Sequence, residues 1–199
     1  MVSIREKTSV RQRQIVDAAR KVIIKYGSEH VTVRKIAEET GVSEGAIYRH
    51  FKSKRDILSL MIYDVESALL ADFKSFPIDG PLTLETLEAI MTKHMASVVH
   101  RKGVSFQVIA EIVSFGDKKL NQQVYNIIDS YTNRVADILS EGVKAGVIRT
   151  NIDLKAAAFL FFGMTQGLVN SWTLSQYSFN LEDEYKSLWK LFREAVIRH

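Results

Sequence analysis

Thr32-Val33-Arg34-Lys35-Ile36-Ala37-Glu38-Glu39-Thr40-Gly41-Val42-Ser43-Glu44-Gly45-Ala46-Ile47-Tyr48-Arg49-His50-Phe51-Lys52-Ser53-Lys54-Arg55-Asp56-Ile57-Leu58 is the stretch that decides the fold. Thr32 and Ser43 each precede a short helical run, Val33 to Thr40 and Glu44 to about His50. A hydroxyl there accepts one of the unpaired N–H groups of a first turn. Between the two runs Gly41 supplies the positive φ of a tight turn. Two short helices joined in this way form a helix-turn-helix. Ile36, Ala37, Val42, Ile47 and Phe51 provide a small core that sets the pair against a preceding helix. The stripe of that helix, Ile15, Ala19, Val22, Ile23 and Tyr26, steps by three and four and stops at Gly27. Ser53 opens a fourth helix, with Asp56 three residues on completing a capping-box pattern.

With the core side turned inward, the third helix offers Glu44, Gly45, Tyr48 and Arg49 outward. A DNA major groove ~12 Å wide admits one helix, whose N-terminal side chains reach base edges. The charge pattern agrees with such a partner. The 199-residue chain has a formal net charge of only +4. Residues 1–56, however, hold 13 Lys and Arg against 7 Asp and Glu, leaving 14 basic and 16 acidic residues for the remainder. A basic head on a slightly acidic body points to a polyanion bound by the head. Lys54 and Arg55 stand in the first turn of the fourth helix, where the macrodipole disfavours cations. An external anion offsets that cost, because free N–H groups and a lysine together make a phosphate site. Thr32 and Ser43 serve the backbone at their own helix starts.

The rest of the chain reads as helix almost throughout. Pro77 and Pro81, the chain's two prolines, interrupt the pattern once. Beyond them come Leu84 to Val98, a shorter run through Phe106 and Ile109, and a long helix that Asp117 caps and Gly146 stops. Asp153 opens a helix that is apolar almost all round, and such a helix must be buried on several sides. Asn180 caps the last one. The expectation is an all-α protein of about nine helices, divided into a helix-turn-helix DNA-binding domain over 1–53 and a larger helical domain over 54–199. The absence of cysteine excludes disulfide scaffolds, thiolate metal sites and cysteine nucleophiles, and fits a cytoplasmic protein. No secretory signal is read at the start. The longest apolar stretch, Ala156 to Met164, is well short of the ~20 residues of a membrane span.

The Thr32–Leu58 stretch, with the helix before it, resembles the DNA-binding signature of the TetR family of bacterial transcriptional regulators. The match rests on Ile36-Ala37, the Gly41-Val42-Ser43 turn, Gly45, the run Ile47-Tyr48…His50-Phe51, and Lys54 at the matching offset. The resemblance implies phosphate contacts for Thr32, Tyr48, His50 and Lys54, and base or groove contacts for Arg34, Glu44, Gly45 and Arg49. Tyr48 is alternatively a packing residue, and His50 alternatively closes the helix end. Glu44 either accepts from a cytosine amine or only favours its helix dipole, and Arg49 reads either a base or a phosphate.

One short recognition helix reads too few bases to find a genomic site, so a homodimer on a palindromic operator is expected. The dimer surface is read in the last two helices. Gly163 and Gly167 leave a notch there, and Phe162, Trp189 and Phe192 supply apolar area. A small-molecule effector is expected to meet Tyr63, Met91, His94, Met95, Phe106, Ile109, Met164 and Trp172, adaptable side chains drawn from several helices. His94 is otherwise a buried core histidine. The family implies a repressor released by a largely apolar ligand, and the aromatic end Trp172–Leu181 looks loosely like that of fatty-acyl-responsive members. The alternative is a DNA-bound adaptor whose larger domain binds a protein. No cofactor, metal or membrane partner is expected. An enzyme is the remote reading, since phosphate-cradling glycine loops, zinc-protease motifs and histidines at metal-binding spacing are missing.

Overall fold

Gly41 ends helix α2 (Val33–Thr40) with a φ of +70°. Its N–H bonds the Glu38 carbonyl at 3.3 Å, and the N–H of Val42 bonds that of Ala37 at 3.1 Å. This paired closure satisfies two of the helix's last carbonyls and turns the chain sharply. Helix α3 (Glu44–Tyr48) starts two residues later. Before them runs α1 (Ile4–Tyr26), closed at Gly27 with a φ of +96°. Ile15, Ala19, Val22 and Ile23 of α1 are buried together with Ile36, Ala37 and Ile47. The small side chain of Ala37 lets the elements approach.

The computed structural model describes residues 4–27, 30–75 and 83–198. Pro77 and Pro81 lie outside the described residues. The elements that follow α3 are α4 (Lys54–Ser75), α5 (Leu84–His100), α6 (Val104–Phe115), α7 (Lys118–Lys144), α8 (Leu154–Leu174) and α9 (Leu181–Val196). Among the described residues there is no strand, only an isolated bridge between Ile148 and Ile197. The expected caps are in place. Asp117 accepts from the N–H groups of Lys119 and Leu120 at 2.9 and 3.0 Å. Asp153 accepts from Lys155 and Ala156, and Asn180 from Glu182 and Asp183.

The chain forms two compact units. One runs up to Val65 and takes in Val104–Val124; the other comprises Glu66–Gly103 and the chain from Tyr125 onward. This division differs from a cut after residue 53. In the first unit the opening of α4 packs Ile57, Leu58 and Met61 into the interior. Arg20 of α1 pairs with Asp64 of α4, and α1 also packs on α6. The first three helices thus share one compact unit with the opening of α4 and with α6.

In the second unit α9 lies against α5 and α8. Its inner stripe, Leu181, Tyr185, Trp189, Phe192 and Val196, is buried. Phe161 of α8 meets Trp189 edge-on at 6.0 Å and Phe192 at 5.1 Å. The apolar helix α8 is less covered than its composition led us to expect. Phe159 and Leu160 are 64% and 58% exposed, because α9 reaches only the opposite side, where Ala158, Phe161, Thr165 and Val169 are buried.

Candidate nucleic-acid interface

Helix α3 is five residues long and is fixed at both ends by local chemistry. Ser43 accepts the Ala46 N–H at 3.2 Å, and Ile47, fully buried, anchors the inner side. Glu44, Gly45, Tyr48 and Arg49 remain exposed, with Tyr48 at 51%. A Cβ added at Gly45 would meet only the Ser43 hydroxyl, at 3.9 Å, so this face is open. The helix ends at Tyr48 rather than near His50. Arg49 and His50 form a turn in which the His50 N–H bonds the Ile47 carbonyl at 2.9 Å. Arg49 thereby sits at the corner of the exposed face, and His50 is half-buried behind it.

Thr32 caps α2 by accepting the Lys35 N–H at 3.1 Å. In this use the hydroxyl oxygen accepts while its proton stays available to a phosphate oxygen; Ser43 has the same geometry. Arg34 is 80% exposed and pairs only loosely with Glu38, at 3.3 Å. Lys35 and then Arg34 hold the Glu38 carboxyl below its ordinary range. An exposed pair of this kind is weak, so the guanidinium exchanges readily to a stronger anion.

The start of α4 departs from expectation. Lys54 and Arg55 do not wait for an external anion. Lys54 Nζ lies 2.5 Å from Glu111 Oε1, and Arg55 Nε lies 2.7 Å from Asp117 Oδ2. The Asp56 carboxylate accepts the Lys52 and Ser53 N–H groups at 2.9 and 3.1 Å. The chain itself supplies the anions that the helix dipole and the basic pair require. Lys54 is also three-quarters buried, beneath the ring of Phe115.

The residues expected to meet an effector fall in both units. Phe106 and Ile109 are buried in the first, whereas Tyr63 of that unit is 67% exposed and belongs to its surface. Met91, His94, Met95 and Trp172 are buried in the second, and Met164 is partly so. Met91 accepts the Tyr131 hydroxyl at 3.4 Å. Trp172 already has a structural task. Its Nε1 donates to the Phe179 carbonyl at 3.0 Å and its ring stacks edge-on with Tyr177 at 4.7 Å, pinning the turn between α8 and α9.

Of the residues expected at a dimer surface, Gly163 and Gly167 are exposed on α8. Phe162, Trp189 and Phe192 are buried inside the single chain at 9%, 4% and 3% exposure, and they are core. The inner stripe of α9 recurs at i, i+4, i+7, which turns these rings inward and leaves Leu191 outside at 63%. The exposed apolar line is instead Ala156, Leu160, Gly163, Gly167 and Leu174 along α8, with Phe159 and Leu191 beside it.

Glu111 was missed from the sequence, whereas Tyr131 and Tyr185 fall on the apolar faces of α7 and α9 as their spacing implies. Burial pushes the Tyr131 and Tyr185 hydroxyls well above the usual tyrosine range. Glu111 does carry a signal. It interrupts the apolar run Val108-Ile109-Ala110-Glu111-Ile112-Val113 on the buried side of α6. Among the described residues no group of three or more His, Asp and Glu is placed to hold a metal ion, and no helix is long and apolar enough to cross a membrane.

Comparison with known proteins agrees with this geometry. Residues 15–61 match the family described as bacterial regulatory proteins, tetR family, and residues 79–195 match the YsiA-like protein, C-terminal region. The chain is 27% identical over 183 residues to the fatty acid metabolism regulator protein of Bacillus subtilis (strain 168), covering 92% of this chain and 94% of that one. It is 23% identical over 191 residues to the nucleoid occlusion factor SlmA of Vibrio vulnificus (strain YJ016), covering 96% and 97%. The transcriptional regulator FadR from Bacillus subtilis, solved in complex with stearoyl-CoA, superposes with a TM-score of 0.73 at 28% identity, covering 90% of this chain and 96% of that one. The helix-turn-helix of α2 and α3, its exposed outer face and both family matches converge: the chain belongs to the TetR family, with a YsiA-like C-terminal region, and is a DNA-binding transcriptional regulator rather than an enzyme.

Proposed function

We propose that the protein is a cytoplasmic homodimeric repressor that binds a palindromic operator and releases it on binding a long-chain acyl-CoA. The observation that carries the dimer is the exposed line Ala156, Leu160, Gly163, Gly167 and Leu174 on α8. It lies on the helix whose composition demands burial. A five-residue recognition helix needs a second copy to specify a site, and symmetry-related copies demand half-sites about one helical turn apart. Thr32, Ser43, Tyr48 and His50 take the phosphate backbone in this reading, Arg34 lies over the groove edge, and Glu44, Gly45 and Arg49 face the bases. The acyl-CoA half rests on the relatives concerned with fatty acids, on the one solved with stearoyl-CoA, and on buried adaptable side chains such as Met91 and Met95.

The test begins with genomic fragments selected by the purified protein, followed by light scattering of the complex and its titration with acyl-CoAs of increasing chain length. Two protomers per palindrome and release by long chains, but not by free CoA, is the expected result. Retention of DNA at every chain length rejects the effector. If a protein captured on the DNA-bound regulator changes its function while no acyl chain does, the adaptor reading replaces this one.

A further inference from the structure

We infer that Glu111 is a positioning residue for the DNA-reading head, and that Lys54 works through its pair with Glu111 instead of as a free phosphate-binding cation. The Glu111 side chain is 6% exposed and its carboxylate lies 2.5 Å from the Lys54 ammonium. Withdrawing one partner from a buried pair leaves an uncompensated charge, among the costlier changes a fold can undergo. A single phosphate contact returns little by comparison. A phosphate contact at the solvated surface of the duplex is an exposed, salt-screened ion pair, a weaker class of interaction than a buried pair. The ion pair therefore outlasts DNA binding.

What the pair holds is the first turn of α4. Lys54 is tied to α6 through Glu111, Arg55 to the cap of α7 through Asp117, and Asp56 to the preceding backbone. Only residues 49–53 separate this turn from α3. Within that link Phe51 is buried, and its N–H bonds the Ile47 carbonyl at 3.0 Å. A shift in the first turn of α4 is thus delivered to the C-terminal end of the recognition helix, where Tyr48 and Arg49 are displayed. The inference rests on the DNA-binding assignment alone and uses neither the dimer nor the effector.

The test compares Lys54→Met, Glu111→Gln and the double variant in the full chain. Affinity and its salt slope are measured on a duplex selected by the wild-type protein and on a random duplex of equal length, with thermal melts alongside. Positioning predicts that Lys54→Met and Glu111→Gln each lower affinity for the selected duplex about 10-fold or more, while random-duplex binding and the salt slope stay near wild type. The double variant, which buries no charge, regains part of the loss suffered by Lys54→Met and remains folded even if that single variant melts. Tighter binding with a steeper slope in Glu111→Gln overturns the inference, because Glu111 would then only mask a phosphate cation. A loss of about one unit of slope on both duplexes in Lys54→Met, or wild-type binding by all three variants, overturns it as well.

Discussion

Replacing both Gly163 and Gly167 by alanine tests whether a second copy closes the outer face of α8. Within one chain a Cβ at either position meets nothing within 4 Å, and neither glycine has a positive φ. The change removes the extra backbone entropy of two mid-helix glycines, a gain of about 1–2 kcal/mol for the pair. For a chain of this size that corresponds to roughly 2–8 °C in Tm. The sign reverses if another helix packs into the notch. Each added methyl then overfills a close contact at about 1 kcal/mol or more, and a symmetric dimer receives four of them. A total near 4 kcal/mol weakens association about a thousandfold. Analytical ultracentrifugation from nanomolar to micromolar protein reads the dimer, and differential scanning calorimetry at two concentrations reads the stability. The expected result is dissociation, with a Tm that becomes strongly concentration-dependent. A dimer of undiminished affinity and a Tm raised by several degrees would refute the placement of the interface on this face.

Other outcomes follow from single positions. Gly103→Ala forces a side chain onto a φ of +63° and sets its Cβ 3.0 Å from Thr173 Cγ2 and 3.1 Å from Val169 Cγ1, so urea unfolding should show a loss of about 1–3 kcal/mol. Burial raises the Tyr131 and Tyr185 hydroxyls above their ordinary value, so their contribution to stability is complete below a pH of about 10 and declines above it. The unfolded chain then releases protons that the folded chain retains. Urea midpoints measured up the alkaline range should fall, and less steeply in Tyr185→Phe. At neutral pH that variant should cost little, since the Tyr185 hydroxyl is buried without a hydrogen-bond partner among the described residues. Arg49→Ala should reorder the ranking of duplexes in a binding-site selection, whereas Arg34→Ala should weaken all of them alike and flatten the salt dependence by about one unit.

The parts of the fold that sequence revealed are those governed by local chemistry. Thr32, Ser43, Asp117, Asp153 and Asn180 cap because a side-chain oxygen within two or three residues of unpaired N–H groups needs no tertiary partner. Gly41 and Gly146 stop their helices for an equally local reason. The exposed face of α3 was legible because Ile47 fixes which way a one-turn helix rolls. Partners distant in sequence were not legible. Lys54 and Arg55 looked like cations lacking an anion, because Glu111 and Asp117 lie more than fifty residues away. Trp189 and Phe192 looked like surplus apolar area, because composition does not say that Phe161 of α8 stands opposite them. The lone carboxylate on the buried stripe of α6, Glu111, was visible in the sequence, but its partner Lys54 was not.

The pairing of α4 with α6 bears on how regulators of this kind can be recombined. A chimera that joins residues 1–53 of this chain to the body of a relative takes from that relative the residues in place of Lys54 and Arg55 and of their partners Glu111 and Asp117. The compact unit that carries the helix-turn-helix is discontinuous: the opening helices through Val65 together with Val104–Val124, from the middle of the chain. If Glu111 positions the recognition helix as inferred, DNA-reading specificity is inherited in two pieces, and a graft that moves only the first should bind its operator less faithfully than either parent.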